Sequence, residues 1–300
     1  MRFLSLPPWL TAAAVRLYQR TERAELDLIS AGVAFYGFLA IFPALAAVIA
    51  IWGVVFDPAV IRTQMELLRG FLPPEALLLV STQVDVLLQA STRSLQWATV
   101  FSTLFAIWSA RAGVAALIRG LNAVHNLPHR AGHHHQLRAL VLTMALVGLA
   151  ISAMLVAVIG PLLIAALPLE LDQVLTLHRV NLLLGLLLVV AAVSLAYHFG
   201  PNRPGPNQLG PNQLGPKGLG KRPRYFTLGL LVAVLLWAIA ARGFVLYLAN
   251  FPAYNRIYGS IGAVVALLFW LYVSSYAVLL GAAVDAELQG EDPLPPDPPQ

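Results

Sequence analysis

Cysteine is absent from this chain of 300 residues, so disulfides and thiolate metal sites are excluded. Charge is almost as scarce: 11% of residues are charged, where soluble domains carry roughly a quarter. Acidic groups are missing altogether between Asp85 and Glu170, and lysine occurs only at Lys217 and Lys221. Period-two alternation is also lacking from the apolar runs, which removes the membrane β-barrel. What is present is apolar, with 59% hydrophobic residues and a mean hydropathy of +0.75. A water-soluble domain is excluded by that balance. The net charge of +5 and pI of 9.7 do not call for nucleic acid, because the basic residues fall mostly in short segments beside apolar runs, where membrane topology accounts for them.

Six of those runs are long enough to cross a bilayer, at about 28–56, 95–118, 139–167, 180–199, 225–249 and 257–284. In lipid every backbone N–H and C=O must be paired within the protein, so these runs predict an all-α polytopic fold, a bundle of six transmembrane helices within one membrane domain over 28–289. Pro43 and Pro161 interrupt the first and third spans, where kinks are expected. Ahead of them, Leu10, Ala14, Leu17, Ala24 and Leu28 recur at helical spacing, with Arg16, Arg20 and Arg23 on another face. Residues 1–27 therefore read as an interfacial cytoplasmic helix. Residues 57–93 predict two external amphipathic helices separated by Pro73-Pro74. A tandem pentapeptide repeat, Gly-Pro-Asn-Gln-Leu and close variants, makes 200–224 a flexible loop, and the acidic, proline-rich 290–300 a disordered tail.

Orientation follows from the loops. With the N-terminus in the cytoplasm the inside segments hold twelve basic residues and the outside ones five, the remaining two being within spans. The positive-inside rule thus predicts both termini in the cytoplasm.

The two basic residues within spans are the candidate solute or lipid contacts. Arg111 sits roughly 16 residues into the second span, about 24 Å along it and toward the cytoplasmic side. Arg111, Ile118 and Asn122 share one helical face, so a guanidinium and an amide form a polar stripe suited to an anionic head group. Arg242 is the corresponding case near the outer side of the fifth span, and for both the alternative is a side chain that only snorkels to the lipid phosphates. Asp285 and Glu287 end the sixth span and are expected to pair with Arg111 or Arg119 as structural ion pairs. His133-His134-His135, with His125 and His129 upstream, has no carboxylate nearby to orient metal ligands or act as a base, so the histidines read as a solvated loop. No Walker motif, dinucleotide fingerprint or Ser/His/Asp set is present, and neither a cofactor nor an enzymatic site is expected.

Four pieces occur in order along the chain: Ser30-Ala31-Gly32-Val33-Ala34-Phe35-Tyr36 with Ile41-Phe42-Pro43; Trp108-Ser109 with Leu121-Asn122; Tyr197-His198-Phe199-Gly200-Pro201-Asn202; and Tyr258-Gly259-Ser260-Ile261-Gly262 through Trp270-Leu271-Tyr272 to Leu280-Gly281-Ala282-Ala283-Val284-Asp285. Together they resemble the YihY/BrkB family of bacterial inner-membrane proteins over about residues 25 to 290. The repeat insert departs from the short loop usual after the Pro-Asn element. The resemblance implies a cytoplasmic-membrane protein, and an older family label implies a tRNA-processing ribonuclease. Such a nuclease needs carboxylates or a His/Asp set around paired metals, which the residues here disfavour. The expectation is a non-enzymatic membrane protein that binds or moves an anionic or lipid-like solute, with a structural or scaffold protein of the envelope as the alternative. Membrane lipids are the expected partners, nucleic acid is not, and a homo-oligomer is left open.

Overall fold

A computed structural model describes residues 8–55, 92–127, 133–166, 170–202, 225–249 and 252–290. The expected external helices at 57–93 and the pentapeptide repeat fall outside them, apart from the last residues of the former, and so does the tail beyond Gly290. Among the described residues the fold is all-α, with seven helices: α1 (Pro8–Arg23), α2 (Leu26–Val55), α3 (Thr92–Val124), α4 (His133–Ala166), α5 (Leu171–Phe199), α6 (Leu228–Ala249) and α7 (Pro252–Leu288). Six of them, α2 to α7, contain segments long and apolar enough to cross a membrane, and the protein is a multi-pass membrane protein.

Most helices overrun the apolar runs that announce them. α3 reaches Val124 rather than stopping near Ile118, α5 starts at Leu171 rather than near Val180, and α7 continues to Leu288. Hydropathy marks where a helix is dry, whereas the hydrogen-bonded ladder continues into polar residues until a cap or breaker ends it. α2 and α4 run through Pro43 and Pro161 without termination.

The chain divides into two compact units, Met1–Ala34 with Gly113–Gln300, and Phe35–Ala112. In the first, α6 packs along α7 and α4 along α5, while α1 lies on α7 and α5 touches α6. Its main core is small and dense: Leu26, Leu121, Val124 and Leu279 interlock with Ala24, Ala196, Ala282, Ala283 and Ala286. Alanine and glycine permit close helix approach where lipid gives no hydrophobic drive for helices to associate. The closest crossing is at Gly229 and Gly281, where a Cβ on either residue would run into the other's carbonyl oxygen. In the second unit Tyr36 meets Trp108 edge to face with ring centroids 6.1 Å apart, and Phe105 lies 5.5 Å from the same indole.

Candidate functional site

Within the first unit the polar side chains converge at one end, where α2 and α6 begin, α3, α5 and α7 finish, and α1 lies across. Thr227 directly precedes α6, and its hydroxyl accepts the Leu230 N–H at 3.1 Å. Asp285 from α7 completes the cap: Oδ1 accepts the Gly229 N–H at 2.7 Å and Oδ2 accepts the Thr227 hydroxyl. The first N–H groups of a helix have no partner within it and carry its positive dipole end, so a carboxylate here satisfies both needs. Tyr197 of α5 donates its hydroxyl to Val278 O, tying a third helix to the same crossing.

α1 is held to this end by charge. Arg16 Nε lies 2.5 Å from Glu287 Oε1, and Arg20 lies 3.7 Å from Oε2. Arg20 is buried, at 6% exposure, and donates from a terminal guanidinium nitrogen to Val124 O at 2.8 Å, satisfying a carbonyl at the end of α3. Asp285 and Glu287 thus find partners other than the expected Arg111 and Arg119. α1 folds back and delivers Arg16 and Arg20 to Glu287, the α6 N-terminus engages Asp285, and Arg119 stays exposed. The sequence places Arg20 on the polar face of an interfacial helix and gives no sign of its buried role, since its partners are more than 100 positions away. Thr227 directly before the apolar run is a legible cap signal.

The predicted polar stripe is separated by its surroundings. Asn122 is fully buried, and its Oδ1 accepts the Asn202 N–H at 2.7 Å, which joins the end of α3 to the segment after α5. Arg111 belongs to the other unit and is half-buried. Because α3 continues to Val124, Arg111 is at the centre of the apolar segment Val100–Val124 instead of near its cytoplasmic end, about 20 Å from the helix terminus. It makes no hydrogen bond or ion pair among the described residues. Two positions away, Ser109 is wholly buried and its hydroxyl lacks a partner among them. Arg242 is exposed on α6.

At the α1 end, Tyr18, Thr21, Glu22, Glu25, Asp27, Leu28 and Tyr276 line an open depression of about 520 Å³. Glu25 adopts a positive φ of 48°, which turns the chain from α1 into α2. The Tyr18 hydroxyl donates to Glu22 at 2.8 Å, and that hydrogen bond, reinforced by the carboxylate charge, raises the phenol above its ordinary value. Among the described residues no group of three or more His, Asp or Glu is placed to hold a metal. His125 is buried, and the side chains of His129 and His133 to His135 are outside the described set.

A family model described as "Virulence factor BrkB" matches residues 17–300. The ribonuclease-like protein YfkH of Bacillus subtilis (strain 168) is 25% identical over 291 residues, covering 94% of this chain and 97% of that protein. A UPF0761 membrane protein of Aeromonas salmonicida (strain A449) is 46% identical over 59 residues, 20% of each chain. Another, from Xanthomonas oryzae pv. oryzae (strain PXO99A), is 45% identical over 67 residues, 22% of this chain and 16% of that one. No solved structure matches.

Proposed function

The chain belongs to the BrkB family and is a multi-pass membrane protein, and from that premise we propose that it binds or moves an anionic, lipid-like solute in the bacterial cytoplasmic membrane. Arg111 carries the reading. A charge at the centre of a spanning helix costs about 2.5–3.5 kcal/mol on insertion scales, so a half-buried arginine with no described carboxylate partner suits an anion arriving from outside the protein. The guanidinium fork matches phosphate or carboxylate oxygens two at a time. Both termini belong in the cytoplasm on this reading: the salt bridges from α1 to the end of α7 keep the two on one side, and the basic bias of the loops assigns that side to the cytoplasm.

YfkH is named ribonuclease-like, and for this chain we propose no nuclease activity. Residues 86–169 contain no carboxylate, and metal-assisted phosphodiester cleavage needs acidic or histidine ligands clustered about its ions. A scaffold role in the envelope is the second reading. It is favoured by Asn122, Asp285 and Glu287, all engaged in internal contacts that hold helices together.

Flux measurement separates the two. Proteoliposomes carrying the full chain and a head-group-labelled anionic phospholipid are expected to expose the inner-leaflet label to an impermeant quencher faster than empty vesicles. Arg111→Leu is expected to lose that acceleration while folding normally, and Arg111→Lys to recover it only in part. No acceleration by the wild type gives the case to the scaffold, and equal acceleration by all three proteins removes Arg111 from the reading.

A further inference from the structure

Arg242 occupies a different environment from Arg111. On α6 the exposed residues Leu231, Leu235, Ile239, Leu246 and Val245 form one arc, and Arg242 lies in its middle, with Leu235, Ile239 and Leu246 at i−7, i−3 and i+4. The guanidinium therefore points away from α7, into the bilayer, and has no hydrogen bond or ion pair among the described residues. The start of α6 is fastened to Asp285 at the α1 end, so Arg242 is near the opposite leaflet, about 10 Å short of the helix terminus at Ala249. An arginine at that depth reaches the phosphate plane by extending along the helix.

Two neighbours shape the surface around it. Gly243, about 100° further round the helix, leaves the flank of α6 bare, since a Cβ built there meets nothing within 4 Å. Behind this surface Phe244 stacks on Trp270, with centroids 5.1 Å apart and planes 23° from parallel, and Trp270 also meets Trp237. Tyr247 is half exposed one turn further out, at the end of the apolar segment, where tyrosine anchors helices in the head-group layer. The arginine thus sits within an exposed apolar strip, while the stacked rings hold the opposite face of α6 against α7.

We infer that Arg242 holds the phosphate of an anionic phospholipid in the leaflet opposite the α1 end, with an acyl chain laid over Leu235 and Ile239 along the α6 arc. Charge complementarity selects this occupant, because an exposed guanidinium that meets no carboxylate among the described residues suits an anionic head group. The site is separate from the Arg111 reading and stands or falls without it.

Native mass spectrometry on the full chain, extracted from phosphatidylcholine nanodiscs doped with phosphatidylglycerol, tests the assignment. The wild type and Arg111→Leu are expected to retain phosphatidylglycerol preferentially. Arg242→Leu is expected to lose about tenfold of that preference, the worth of one charge-assisted hydrogen bond. Arg242→Lys keeps the charge but not the fork and is expected to fall well below wild type. Unchanged melting temperatures establish that the variants are folded, and Arg242→Gln carries the test should the leucine variant fail to fold. Wild-type retention by Arg242→Leu, or by Arg242→Gln in its place, overturns the site. So does full retention by Arg242→Lys, which signals a snorkelling charge alone. An equal loss in Arg179→Leu, which removes another exposed arginine of the same end, likewise overturns it as diffuse attraction.

Discussion

Asp285 shows how a single carboxylate organises several helices. It lies on α7, caps α6 through Gly229 and Thr227, and sits beside the crossing that Gly281 permits and Tyr197 braces. Removing it leaves a buried N–H and a hydroxyl without their acceptor, a loss of about 1–3 kcal/mol. Asp285→Ala is therefore expected to lower the melting temperature in detergent clearly, and Asp285→Asn, which keeps one acceptor oxygen, to lower it less. Equal melting of Asp285→Ala and wild type would show that the cap contributes nothing. At this scale the sequence was informative about type and silent about partner. Asp285, Glu287 and Asn122 all stand out as polar residues at span ends, yet Glu287 pairs with Arg16 across 271 positions and Asn122 with Asn202 across 80. No periodicity within a helix encodes a contact between distant segments.

Helices are the level at which hydropathy speaks most directly, and their ends are where it fails. The dry segments of α2 to α7 are visible as apolar runs, because a bilayer-spanning helix must be apolar over roughly 20 residues. The ends depend on caps, and the extension of α3 to Val124 is what moves Arg111 to mid-segment. α1 has a further dependence on tertiary contacts. Its amphipathic spacing suggests a helix lying on lipid, whereas buried Arg20 and the core residues Ala24 and Leu26 make this part of the chain a packed element of the first unit. Between α5 and α6, residues 203–224 span 22 positions, and deleting 205–219 leaves 7. Loop-closure entropy varies only slowly with length, so this deletion is expected to leave membrane insertion and melting temperature nearly unchanged. Loss of folded protein on deletion would mean that the insert contributes contacts to the helices.

At the largest scale, within the first unit, the beginnings of α2 and α6 meet the ends of α3, α5 and α7, with α1 across them. The start of the first span and the end of the last therefore lie on the same side. Which side that is depends on loop charge, and the absence of cysteine allows a direct measurement. On intact spheroplasts, an impermeant thiol reagent is expected to label Gln83→Cys and to leave Gln208→Cys unmodified until the membrane is opened. The reverse pattern inverts the orientation.

Spanning helices and loop bias are written in the residues themselves, since transfer from water to lipid acts on each side chain according to its own polarity and nearly independently of the rest of the fold. The partners of those residues are a property of the folded chain. Arg111 and Arg242 are equivalent as letters, each an arginine within an apolar run, and both read as embedded polar sites. Packing makes one half-buried at the centre of its segment and turns the other outward in the middle of a lipid-facing arc. Burial depends on which neighbouring helix covers which face, and that is decided only when close-fitting glycine and alanine surfaces bring helices together from distant parts of the chain.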